Sequence, residues 1–171
     1  SDVCSSDLPL IFLRHAEAEK RATFADWHDG MPPHDHERPL TEYGKSETPA
    51  IAAALAAYGI RAAHSSPAKR CIDTIAPEFV PYEQVELEPA LSEVAFEVDP
   101  AAAAARAVGL ARQSTPTVMV CHRPVLPTMV RAAARELGIA EPSPRLQPGE
   151  FLVFHRELSR SGNIDRRGES E

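Results

Sequence analysis

The chain has 171 residues, 43% of them hydrophobic and 25% charged, with a formal net charge of -7. That length supports one domain with a real core, and the composition is that of a soluble globular protein. The acidic balance excludes a general binder of nucleic acid polymers or anionic membranes, since no global basic field exists to release counterions. A local basic cleft for a small anion stays open. Cys4, Cys71 and Cys121 are scattered without CxxC spacing. A reducing, cytoplasmic setting is therefore expected rather than a disulfide framework or a zinc ribbon. No apolar run approaches the length of a membrane span, and no basic-then-apolar leader suggests secretion.

In chain order, residues 1–8 are small and polar and read as a non-native leader. Leu10–Leu13 is a short unbroken apolar run, suited to a strand covered on both faces. His15 to Arg38 reads as a long loop with turn residues Gly30, Pro32 and Pro33. Thr41 precedes a helix start, and the alanine-rich run Ala50–Tyr58 is closed by Gly59, with a kink or restart expected at Pro49. Ile60–His64 reads as a second strand. Ser66 then suits an N-cap and Pro67 a first helical position. Residues 79–98 read as irregular, with a strand at Val85–Leu87. A helix is expected from Asp99–Pro100 to about Gln113, a strand over Thr117–Cys121, a helix over Pro127–Leu137 and a last strand over Phe151–His155. Residues 159–171 lack a core pattern and read as a mobile tail. Strands alternating with helices imply one α/β domain over residues 9–158, a three-layer sandwich with a mostly parallel central sheet flanked by helices.

Polar residues stand just past three of these strands: Arg14-His15, then Ser65-Ser66 with Arg70 on the following helix, then His122-Arg123. In open α/β sheets, ligands bind at the carboxyl ends of the strands. Any one of these pairs also suits a strand that merely emerges into water. Together they direct two histidines and at least two arginines to one crevice. That composition suits phosphoryl chemistry. Arginine matches phosphate oxygens with a planar fork, a neutral imidazole nitrogen can attack phosphorus, and a fixed basic cage stabilises the transition state. A general acid is also required. Glu93 is the first choice, with Glu17 and Asp29 as rivals.

The blocks "LRHAEAEKR", "RPLTEYG", "SSPAKRCIDT", "LSE" and "VCHRPVLP" come in the order of the histidine phosphatase, or phosphoglycerate-mutase-like, superfamily. The resemblance covers roughly residues 10–155 and lies nearest to the phosphatase domain of actinobacterial Nudix-linked proteins, with SixA-type phosphohistidine phosphatases second. It implies that His15 is the phosphorylated nucleophile, Arg14 and Arg70 the phosphate-binding arginines, His122 the second pocket histidine and Glu93 the proton donor. The first motif has alanine at Ala16 where many members have glycine. The glycine-rich stretch of the mutases is missing, which speaks against mutase activity.

Arg21, Trp27, Arg38 and Arg123 are expected at the substrate rim. His28, Asp29, His34, Asp35 and His36 invite a metal reading, but their spacing is unlike strong zinc patterns. The expectation is therefore a phosphomonoesterase that needs no metal or cofactor. It would act on a nucleotide or other small phosphorylated metabolite through a phosphohistidine on His15. A hydrogen bond from the second His15 nitrogen, for example to a backbone carbonyl, would fix the tautomer. The alternatives are a SixA-like protein phosphohistidine phosphatase and a phosphate-binding module without turnover. A Nudix domain upstream is the expected partner.

Overall fold

The computed structural model describes residues 7–26, 34–76, 85–158 and 164–165. Its main sheet has five strands: β1 (Leu10–Arg14), β2 (Ala62–Ser65), β3 (Val85–Leu87), β4 (Thr117–Cys121) and β5 (Phe151–Phe154). Their spatial order is β3-β2-β4-β1-β5. All neighbours run parallel except β5, which is antiparallel to β1. The expected α/β sandwich is thus the observed architecture.

Residues 10–13 of β1 are fully buried because each face of the sheet carries its own core. Leu10, Phe12, Met119 and Cys121 pack on one face with Leu110, Met129 and Val130. Those partners lie on α5 (Pro100–Ala111) and α6 (Leu126–Leu137). Ile11, Leu13, Val118 and Val120 pack on the other face with Ile51, Leu55 and Cys71, from α2 (Glu42–Ala57) and α3 (Lys69–Thr74). Alternate residues of each strand thus feed opposite layers. Each such side chain contributes roughly 1.5–3 kcal/mol on burial.

Several local expectations change. The stretch 15–38 contains α1 (Arg21–Asp26) and a 3-10 turn at Asp35–Glu37; its turn residues at 30, 32 and 33, like Trp27, His28 and Asp29, lie outside the described residues. Helix α2 starts at Glu42, capped by the Thr41 hydroxyl, and continues through Pro49. Pro49 cannot donate to the carbonyl of Lys45, but the Thr48 hydroxyl does so at 2.8 Å. The lost backbone bond is replaced and the helix does not restart. Glu93 lies on α4 (Glu93–Val98), not in a loop, because the Ser92 hydroxyl accepts from Ala95 N–H at 3.1 Å and caps it. Helix α3 begins only at Lys69, with Ala68 rather than Ser66 at the capping position, although the Ser66 hydroxyl accepts from Ala68 N–H at 3.3 Å.

The expected boundaries also shift. Leu8 is buried, and its N–H donates to the Arg156 carbonyl at 2.8 Å, so this residue belongs to the fold rather than to a leader. Within the tail, β7 (Ile164–Asp165) pairs antiparallel with β6 (Glu157–Leu158). Arg156 organises this end of the molecule. Its side chain is buried and donates to six backbone carbonyls, those of Leu8, Pro9, Leu110, Ala111, Gln113 and Thr115. Burial lowers its pKa to about 10 against the pull of Asp7, so it remains a cation at neutral pH and sits favourably at the carbonyl end of α5. Replacing it strips several buried carbonyls of their donor at once. Arg156→Met should reduce the unfolding free energy by at least about 3 kcal/mol. Denaturant unfolding measures this, and a loss below about 1 kcal/mol would show that water satisfies those carbonyls equally well.

Candidate active site

β1 and β4 run in register, with Arg14 opposite Cys121. The His15 N–H extends the ladder to the Cys121 carbonyl at 3.2 Å. His15 and His122 therefore leave the sheet side by side, and their rings meet edge to face with centroids 5.4 Å apart. β2 ends level with them, and Ser66 N–H donates to the Val120 carbonyl at 2.9 Å.

Both histidines are buried. The Nδ1 of His15 lies 2.7 Å from the Ala16 carbonyl. A carbonyl only accepts, so Nδ1 carries the proton and Nε2 presents its lone pair. Burial, then the charges of Arg70, Arg14 and Arg38, lower the His15 pKa to about 4, although the Ala16 hydrogen bond acts the other way. Ala16 N–H in turn donates to Thr74 Oγ1 at 2.9 Å, and that hydroxyl donates to the Arg70 carbonyl at 2.7 Å. The loop after His15 and the helix that carries Arg70 are thus held by one threonine. His122 is shifted further, to about 2, by burial and then by Arg70 and His15. Its Nε2 shares a 2.8 Å hydrogen bond with Ser66 Oγ, and Cys71 Sγ lies 3.6 Å away. Burial pushes the Cys71 thiol up to about 12, so it is no nucleophile.

The arginines surround these rings. Arg70 has a side-chain exposure of only 2%. It donates to the Asp35 carbonyl at 2.9 Å, Asp35 Oδ2 at 3.2 Å and Glu93 Oε2 at 3.3 Å. Arg21 reaches Asp35 Oδ1 at 3.0 Å and Glu93 Oε2 at 2.9 Å. Arg38 reaches Asp35 Oδ1 at 3.1 Å. Burial alone would raise the Asp35 carboxyl, but Arg70, Arg38 and Arg21 together hold it below its usual value. Arg14 donates to the Leu146 carbonyl at 2.8 Å. Burial and then the charge of the exposed Arg123 lower its pKa. The Nε atoms of Arg14 and Arg70 are buried without a hydrogen-bond partner.

The structure therefore brings Arg14, His15, Arg70, His122, Glu93, Arg21 and Arg38 to one crevice. Glu17 faces elsewhere: its carboxylate accepts from the Thr41 hydroxyl at 2.9 Å. Its carbonyl takes the Thr41 N–H at 3.0 Å and would collide with a Cβ on Gly44. The "RPLTEYG" block is thus a helix cap pressed against the loop after His15, and only glycine fits at its end. Asp35, considered only as a metal ligand from sequence, is instead the counter-anion shared by three arginines. Ser66, read as a helix cap, is the partner of His122. His34 and His36 stack on each other at 5.2 Å.

Among the described residues, His64, Glu86 and Glu88 also hold their ligand-type atoms within 4.8 Å of one another. Arg106 already donates to Glu88 Oε1 at 2.7 Å and His64 Nδ1 lies 2.8 Å from the same oxygen. This is a self-satisfied ion cluster.

The chain belongs to the histidine phosphatase superfamily (branch 1), which matches residues 10–102. It is 27% identical over 122 residues to the 8-oxo-(d)GTP phosphatase of Mycolicibacterium smegmatis, a match covering 71% of this chain and 36% of that protein. The chain thus spans little more than a third of that relative. Among solved structures, SixA from Nakamurella multipartitia is similar with a TM-score of 0.64 and 18% identity, covering 96% of this chain and 94% of that one. A tungstate complex of the protein histidine phosphatase SixA gives a TM-score of 0.61 and 22% identity over 95% of each chain. At such identities the likeness establishes the fold.

The two histidines set a pH dependence. The unfolded chain protonates each near 6.5, whereas the native protein resists until about 4 at His15 and about 2 at His122. Stability should therefore fall as pH drops from 6.5 towards 4, by about 1.4 kcal/mol per pH unit for each histidine. The His15 imidazole should titrate near 4 in an NMR titration, with its attacking nitrogen free above that pH. A midpoint above 6 would mean that the ring is open to water.

Proposed function

We propose that this domain is a phosphoric monoester hydrolase that works through a phosphohistidine on His15. The carrying observation is the locked tautomer. Nδ1–H is held by the Ala16 carbonyl at 2.7 Å, and the ring is neutral at physiological pH. Nε2 is thus a preformed nucleophile beside fixed cations.

In this reading the phosphoryl oxygens take the place of the Asp35 and Glu93 carboxylates on the guanidinium edges. They also supply acceptors for the unpartnered Nε groups of Arg14 and Arg70. The Nε2 lone pair attacks phosphorus and the P–O bond to the leaving group breaks. The leaving oxygen takes a proton from Glu93, which acquires it from the bound phosphate monoanion once the phosphoryl group has displaced the carboxylate from Arg21 and Arg70. Water then attacks phosphorus and gives a proton to the same carboxylate, and the N–P bond breaks to restore His15. His122 is neutral and tied to Ser66, so it serves as a hydrogen-bonding wall and not as a cation.

The substrate in this reading is a small phosphorylated metabolite, a nucleotide among them, as the relative's name suggests. A SixA-like action on protein phosphohistidine is the second reading, favoured by the two SixA structures. The cytoplasmic setting and an adjoining Nudix domain belong to the same proposal. The first fits the free, buried thiols of Cys71 and Cys121, and the second rests on resemblance to Nudix-linked proteins.

His15→Ala should reduce turnover more than about a hundredfold and remove an acid-labile, base-stable phosphate label that wild type carries during turnover. A variant that retained the label would place the nucleophile elsewhere. Glu93→Gln separates two roles for that carboxylate. With an alkyl phosphate the loss should be about 10²-fold or more, the usual scale of general acid catalysis. With a nitrophenyl phosphate, whose leaving group needs no proton, it should be small. Equal losses on both substrates would make Glu93 an anchor for Arg21 and Arg70 and not a proton donor.

A further inference from the structure

The phosphate cage opens into a cleft of about 740 Å³ whose lining mixes polar groups with valine, alanine and proline. Arg70, Glu93 and His122 line its inner end. Pro67 and Ala68 form one wall and Pro89 another. The third wall is α4, which presents Val94 and Val98 four residues apart, and therefore on one helix face. These two valines are 75% and 83% exposed, the most exposed of the large hydrophobic residues described. Two such side chains on one face, beside a charged site, have no role in the core on either side of the sheet.

The charges in the cleft are equally informative. Arg70 is the only arginine or lysine among its lining residues, whereas Asp35, Glu93 and Asp99 are acids. Beside these acids the described lining carries the stacked imidazoles of His34 and His36. An uncharged apolar group would meet valine, alanine and proline. A cavity of about 150 Å³ suffices for a benzene ring, so the volume accommodates a ring system beside a phosphate.

We propose that the cleft is a leaving-group subsite for phosphomonoesters whose alcohol carries an aromatic or aliphatic body, and that Val94 and Val98 determine this specificity. The proposal rests on the phosphatase reading for the identity of the cage. It names the substrate class as monoesters whose alcohol brings an apolar body to the cleft. The apolar body covers the two valines and shields the phosphoryl group from water, while its single phosphate takes the arginines.

Phosphonates test this without turnover, because their P–C bond is not hydrolysed. Isothermal titration of the wild-type chain should show benzylphosphonate binding at least about tenfold more tightly than methylphosphonate, or about 1.4 kcal/mol. In the double variant Val94→Ser, Val98→Ser that ratio should shrink to within about threefold of one. Both positions are exposed, so the fold should survive the change, and circular dichroism checks it. Equal affinities for the two phosphonates in wild type would overturn the subsite while leaving a phosphohistidine at His15 untouched. A ratio that persists in the double variant would overturn the role of the valines. Loss of the label at His15 with the benzyl preference intact would instead remove the phosphatase reading and keep the apolar site.

Discussion

The register of two parallel strands is the constraint on which the site depends. Arg14 pairs with Cys121, and one more ladder bond links His15 N–H to the Cys121 carbonyl. A slip of one residue would send His15 and His122 to opposite faces of the sheet. The register is held by burial on both faces: Leu10 and Phe12 belong to one core, Ile11 and Leu13 to the other. The side-by-side placement of His15 and His122 is thus specified by hydrophobic residues buried on either side of the sheet.

Placing two imidazoles among arginines would be costly if either ring were charged. Burial and the guanidinium charges keep both neutral, and neutrality is also what a nucleophilic nitrogen requires. The arginines repel one another in turn. Asp35 and Glu93 relieve this, with Asp35 bonded to Arg21, Arg38 and Arg70 at once. The cage is therefore stable with carboxylates in it and can exchange them for a phosphate of greater charge. Its carboxylates are exposed enough to swing aside, whereas Arg70 is fixed in the interior.

The parts of this design that were legible in the sequence are those carried by short, rigid signals. The apolar runs of β1 and β4, the polar residues at their ends and the spacing from Ser66 to Arg70 each depend on local chain alone. Asp35 was not legible, because its meaning comes largely from Arg21 and Arg70, distant in sequence, joined by the nearby Arg38, and its neighbours suggested metal ligation. Ser66 carries the ordinary look of a helix cap, and only the position of His122 across the sheet reveals its other use. Helix α4 was missed although its Ser92 cap is a sequence signal, since six residues give too little periodicity to stand out. The continuity of α2 through Pro49 depends on one hydroxyl, that of Thr48, placed one residue earlier.

Helix α4 joins the two halves of the site. Its first residue, Glu93, binds Arg21 and Arg70, and its last, Val98, lies at the open end of the cleft. This short helix is capped by Ser92 at one end and runs into α5 through Asp99 at the other, and its Phe96 packs against the core. The Glu93 carboxylate couples this helix to Arg21 and Arg70. A phosphate that displaces Glu93 from Arg70 therefore acts on the same element that carries Val94 and Val98. Recognition of the phosphoryl group and of the apolar body are in this way linked through a single helical turn and a half, and a substrate with both features can engage cage and wall together.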